Sequence, residues 1–192
     1  NDLQGWAHNT LNLKTNCRNT SEVIDAVKFA TGVALGSTKI KGSGLEVTYG
    51  QESDPEKMIE EAAKQIKLWV EEREVVPGQI ILLSRLPIEA SSIPKIAKLA
   101  NCGYVSWKTG WEQDPSYDRF LAAGNIEDFR GLESPFVILC DLGGELGSLV
   151  TDLYLGMTRA NFGLFVSCER EAMDLLVSTR LKNLHSAEDT TN

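Results

Sequence analysis

Two arginines in this 192-residue chain sit where a guanidinium fork could meet a phosphate. Arg18 lies in Asn16-Cys17-Arg18-Asn19, between the strand-like run Leu11-Asn12-Leu13-Lys14 and a helix start. Arg159 lies in Leu153-Tyr154-Leu155-Gly156-Met157-Thr158-Arg159-Ala160, where a helix ends ahead of an apolar strand. Arginine engages a phosphate through two parallel hydrogen bonds. Two arginines from one domain, aimed at a nucleotide held by another, would stabilise charge developing on the γ-phosphate. Taken singly, each reads more simply as a surface arginine or as half of an internal ion pair. A third segment, Asn125-Ile126-Glu127-Asp128-Phe129-Arg130-Gly131-Leu132-Glu133-Ser134-Pro135, carries Arg130 and Glu133 just before another apolar strand.

Complete catalytic sites of familiar kinds are absent. There is no G-x-x-x-x-G-K-[ST], and Gly36-Ser37-Thr38-Lys39 lacks its spacing and ending. A chain without that loop has neither its amide cradle nor its phosphate-binding lysine. No apolar strand ends in Asp-Glu to hold Mg²⁺, and no G-x-S-x-G occurs. His8 and His185 have no ligand-type neighbours at a useful spacing, so no metal site is expected. Cys17, Cys102, Cys140 and Cys168 form no C-x-x-C pair and read as free thiols in a reducing, cytoplasmic setting. The net charge of −8 argues against a freestanding, electrostatically driven DNA binder. It leaves room for a domain that borrows most of its nucleic-acid contacts. No apolar run reaches membrane-spanning length, and the N-terminus shows no leader pattern. Because it begins without Met, the chain reads as a fragment or processed form.

The elements that must position these residues alternate between strand-like and helical. Asn19-Thr20-Ser21-Glu22 reads as a helix start with Asn19 as cap, followed by Val23, Ile24, Val27 and Ala30 on one face. Leu45 to Tyr49 alternates like a half-buried strand. Ser53-Asp54-Pro55-Glu56 opens a longer helix with the stripe Ile59, Ala62, Ile66, Trp69 and Val70. Further strands are predicted at Ile80–Leu83, Tyr104–Trp107, Phe136–Cys140 and Leu164–Ser167. Helices are predicted at Ile93–Ala100, around Leu149–Met157 and at Glu169–Leu181. Buried strands alternating with helices mean one α/β domain with a mainly parallel sheet, over residues 1–185, with a disordered polar tail over 186–192. Ligands in such folds are expected at the carboxyl ends of the strands. Trp107 and Trp111, flanking Lys108, could stack on bases but read more readily as core residues.

In this order the three arginine-bearing segments resemble the UvrD/Rep-type superfamily 1 helicases. The family pattern N-Y-R-S is matched by Asn16-Cys17-Arg18-Asn19. K-G-L-E before an apolar strand is matched by Arg130-Gly131-Leu132-Glu133 and then Phe136 to Leu139. L-Y-V-A-x-T-R-A is matched by Leu153 to Ala160, with Tyr154, Thr158, Arg159 and Ala160 retained. The resemblance spans about Leu11 to about Glu169. The interval between the first two motifs is too short for the large inserted subdomain, so the compact form is implied.

The resemblance implies a three-layer RecA-like second motor domain, which closes on ATP and Mg²⁺ held chiefly by an N-terminal RecA-like domain of a longer chain. ATP hydrolysis would belong to that longer protein and not to this fragment. Arg18 and Arg159 would contact the γ-phosphate. Glu133, with Gly131 and Arg130 of the same motif, would face the nucleotide ribose. Asn125 to Arg130 would lie near single-stranded DNA, Asn125 and Glu127 standing where the family has Thr and His. A carboxylate there repels a phosphate backbone. Cys17 replaces the family's adenine-stacking aromatic ring, Arg130 replaces Lys, and Gly156 and Met157 read as mild changes on a helix. These departures keep a second function open: a degenerate motor domain acting as a regulatory or protein-interaction module. A nucleotide-binding α/β domain of unrelated ancestry is a third.

Overall fold

A computed structural model describes residues 15–40, 44–109 and 115–189. Leu11 to Lys14, Trp111 and the last three residues of the expected tail lie outside the described residues. In chain order the elements are β1 (Thr15–Asn16), α1 (Ser21–Thr31), β2 (Ser37–Thr38), β3 (Thr48–Gly50) and α2 (Pro55–Lys67). Then come β4 (Ile80–Ser84), α3 (Ile93–Leu99), β5 (Gly103–Ser106) and β6 (Phe120–Asn125). The last are β7 (Ser134–Leu142), α4 (Leu146–Met157), β8 (Ala160–Cys168) and α5 (Arg170–Asp189).

Six strands form one sheet in the order β3-β8-β7-β4-β6-β5, and every pairing is parallel. A separate pair, β1 and β2, is also parallel. Side-chain alternation splits the central strands between two cores. Ile81, Leu83, Val137, Leu139, Leu164 and Val166 meet α1, α4 and α5. Ile80, Leu82, Ile138 and Phe165 meet α2 and α3. Burial on both faces explains why β4 and β7 read as unbroken apolar runs. The result is a three-layer α/β fold with a parallel sheet between helices.

Local signals account for much of the outline. Asp54 caps α2 by accepting from the Glu56 amide at 3.0 Å, and Pro55 occupies the first turn. The apolar stripe continues through a π-helical turn at Leu68–Glu72, which keeps Trp69 buried against Phe136 at 5.1 Å between ring centroids.

Three expectations need correction, and one strand was not foreseen. The N-cap of α1 is Thr20, and Asn19 does not cap it. The strand expected from Leu45 is paired only at Thr48–Gly50. Helix α5 runs to Asp189, past its expected end at Leu181 and into the expected tail. Strand β6, unforeseen, lies between β4 and β5 with Leu121, Ala122 and Ala123 fully buried.

Candidate functional site

Asn16 organises the turn that presents Arg18. Its side-chain oxygen accepts from the amides of Arg18 (2.8 Å) and Asn19 (2.9 Å), an Asx-type closure of the chain leaving β1. Asn19, 2% exposed, then donates its side-chain amide to the carbonyls of Ala160 (2.6 Å) and Thr158 (3.2 Å). Thr20 adds a backbone bond to Asn161 at 3.3 Å. These bonds pin the Arg18 turn against the entry to β8, and Arg159 sits beside them. The residue read as a helix cap is a buried tie between the first and last arginine motifs.

Arg18 and Arg159 converge on one open cavity of about 540 Å³, lined also by Cys17, Leu35, Glu133 and Tyr154. Arg18 is half exposed, and its Nε meets Glu133 Oε2 at 2.5 Å. Arg159 is 9% exposed and commits three of its five N–H groups within the domain. Nε donates to the Leu155 carbonyl at 2.9 Å, one terminal nitrogen to Leu132 O at 3.1 Å, and the other to Thr158 Oγ1 at 2.8 Å. Burial first, and then the nearby positive charge of Arg18, pull the Arg159 guanidinium below its usual basicity. The two arginines therefore share a site without sharing a role: Arg159 is a fixed fork in the wall, and Arg18 is a half-exposed arm paired to a carboxylate.

The cluster lies at the amino edge of the sheet. Arg159 precedes β8 and Glu133 precedes β7, at the starts of two parallel neighbours. These two residues lie at the opposite edge from the carboxyl ends of the strands, where ligands are expected. Arg130 is exposed and close enough to lower the basicity of Arg159. Gly131 has φ 88, a left-handed conformation that glycine adopts without steric cost, and turns the chain toward β7.

Asn125 and Glu127 do not join this cluster. They lie at the carboxyl end of β6, where Asn125 donates to the Arg85 carbonyl at 3.0 Å and accepts from the Glu127 amide at 2.9 Å. Residues 126–133 connect β6 to β7 across the core shared with α1 and α4, anchored by buried Ile126 and Phe129. Because β6 and β7 are parallel, this one segment joins the carboxyl edge to the amino edge.

Trp107 belongs to the core. Its ring meets Phe129 edge-on at 5.6 Å and packs on Gly124, and the neighbouring Lys108 pairs with Asp128 at 2.7 Å. Asp141 is also structural. It takes φ 56 at a register shift of β7 and accepts from the Ser84 hydroxyl at 2.6 Å and the Ser92 amide at 3.2 Å.

Sequence reasoning missed Arg85. It follows β4 directly, donates to the Gly143 carbonyl and faces Asp152 at 3.8 Å. The available signal was its position, since the loop after a buried parallel strand is where ligands commonly bind. Among the described residues no cluster of three metal-ligating side chains occurs, and no helix is long and apolar enough to cross a membrane.

No family model matches the chain, and no curated protein matches it. Among solved structures it is similar to the C-terminal domain of a possible DNA helicase from Lactobacillus plantarum WCFS1. The likeness has a TM-score of 0.52 and 13% identity, over 80% of this chain and 87% of that chain. At that identity the likeness carries the fold alone: the chain shares its three-layer parallel α/β architecture with that helicase C-terminal domain.

Proposed function

We propose that this chain is the second motor domain of an ATP-dependent DNA helicase or translocase of the compact UvrD/Rep type, located in the cytoplasm. ATP and Mg²⁺ are held chiefly by an N-terminal RecA-like domain of the longer protein. The observation that carries the proposal is the convergence of Arg18 and Arg159, distant in sequence, on one cavity at the amino edge. Arg159, preset by three internal bonds, supplies a rigid guanidinium with N–H groups left for a phosphate. Arg18 adds a second once Glu133 releases it, and the released carboxylate then suits the ribose hydroxyls. An open cavity of this size fits the outer part of a nucleotide whose remainder lies on a neighbouring domain. The segment 126–133 supports coupling, because it joins Asn125 and Glu127, proposed to lie near single-stranded DNA, to the arginine edge.

The test uses the longer protein with its N-terminal domain attached. Arg18→Ala should lower DNA-stimulated ATP turnover by on the order of a thousandfold while the melting curve stays in place, as expected for an arginine that meets transition-state charge. Turnover within a few-fold of the parent would remove the assignment.

A second reading is favoured by the closed Arg18–Glu133 pair, the exposed Cys17 and the carboxylate of Glu127. In it the domain is a degenerate motor kept as a regulatory or protein-interaction module. That reading fails if the longer protein hydrolyses ATP in response to DNA. It gains if only the restored Cys17→Tyr, Asn125→Thr, Glu127→His variant does so.

A further inference from the structure

The carboxyl edge has a groove that the arginine cluster does not use. After β4 the chain passes into α3 on one face of the sheet, and after β7 into α4 on the other. Adjacent parallel strands whose connections leave in opposite directions open a crevice between them, the usual ligand position in open α/β sheets. A cavity of about 320 Å³ occupies it. Its apolar walls are Met58, Ile59, Leu86 and Ile96. Its polar lip carries Asp141 and Glu169.

Charge decides what fits. Arg85, the one cation lining the groove among the described residues, already donates to Gly143 O and faces Asp152. Asp141 is oriented by Ser84 and Ser92, each carboxylate oxygen retaining acceptor capacity beyond those bonds. Glu169 is exposed and has no ion-pair partner among the described residues. An apolar trough with an anionic lip matches a side chain with an aliphatic stem and a cationic head. It mismatches a phosphate backbone.

We propose that this groove docks a polypeptide segment by inserting an arginine or lysine, its stem along Met58 and Leu86 and its head toward Asp141 and Glu169. The proposal does not depend on a nucleotide at the amino edge, and either can fail alone.

The test measures fluorescence anisotropy of a labelled short peptide alternating leucine and arginine, titrated with this chain. Parallel titrations use the matching leucine–glutamate peptide and labelled oligothymidylate. The arginine peptide should bind and the glutamate peptide should not. Leu86→Arg, which puts a cation into the groove from a residue 38% exposed, should weaken binding roughly tenfold or more. Glu169→Gln, which removes one lip charge, should weaken it several-fold. Unchanged thermal midpoints keep either loss from being a folding effect. Equal peptide binding by parent and both variants would mean diffuse attraction to an acidic surface and overturn the proposal. So would absence of peptide binding, or oligothymidylate binding that Leu86→Arg alters.

Discussion

Arg18 Nε and Glu133 Oε2 lie 2.5 Å apart, so the exposed arginine of the amino edge is already met by the domain's own carboxylate. Any anion that engages Arg18 must displace Glu133 or share the guanidinium with it. Glu133→Gln keeps the shape and removes the competing charge. Both side chains are close to half exposed, and pairs of that kind are worth about 0.2–1 kcal/mol. Tripolyphosphate should therefore bind the variant up to about fivefold more tightly than the parent. Isothermal titration of the isolated domain measures this, and unchanged affinity would show that the pair does not gate the site.

Arg159 has a structural job that its motif does not reveal. Its bonds to Leu132 O and Leu155 O tie the approach to β7 to the end of α4. Arg159→Ala removes these part-buried, charge-assisted bonds, although Leu155 O keeps the Thr158 hydroxyl at 3.3 Å, and should cost about 1.5–3 kcal/mol. Arg18→Ala should stay within about 1 kcal/mol of the parent, because its ion pair is half exposed. Urea unfolding of the two variants checks the contrast. An Arg159→Ala domain as stable as the parent would mean the arginine is held for binding alone.

Gly156 looked like a mild change on a helix, and packing gives it a stricter role. A Cβ built there would lie 2.6 Å from Leu139 Cδ2, where α4 crosses β7. Leu139 is fully buried in the core and has little room to yield. Alanine gains about 1 kcal/mol in helix propensity, while overpacking a tight core costs about 1–3 kcal/mol. The clash should win, leaving Gly156→Ala less stable by about 1 kcal/mol in chemical denaturation. A stabilised variant would show that α4 can slide on the sheet at no net cost.

The contrast between β4 and β6 shows what a sequence can disclose. Ile80-Ile81-Leu82-Leu83 declares itself, because a strand buried on both faces needs bulky side chains at every position. Leu121-Ala122-Ala123-Gly124 occupies the neighbouring place in the sheet but carries small residues of poor strand propensity. Its conformation is imposed by neighbours: a Cβ on Gly124 would strike the Trp107 ring, so the small residue belongs to the tryptophan's packing. The site divides in the same way. The order of the arginine motifs brought Arg18 and Arg159 into view. The Arg18–Glu133 pair did not show, because it joins segments that only the fold brings together. Asn19 was misread because the amide that suits a helix cap equally suits two buried carbonyls. The carboxyl-end rule did not point to this cluster, because it follows the loops after strands, and Glu133 and Arg159 stand before theirs. In the proposed reading this domain meets a nucleotide that another domain holds.

Glu61 gives a prediction independent of either site. Its Oε2 is buried without a hydrogen-bond partner, facing Gly50. Burial first, and then the charge of Glu52, push its carboxyl above the usual 4.5, against smaller opposing effects of Lys64 and Arg170. The folded state therefore holds this proton more tightly than the unfolded state does. Ionisation of Glu61 thus disfavours folding, an effect absent below the unfolded value and complete once the pH exceeds the folded one. Glu61→Gln removes the charge at nearly constant volume. Its thermal midpoint should exceed that of the parent at pH 7, and the gap should shrink as the pH falls towards about 4.5 and be gone below it. Comparing the two proteins at each pH cancels the titration of the other carboxylates. A gap that holds constant or widens in acid would mean that the effect is steric and that the buried oxygen is satisfied in solution.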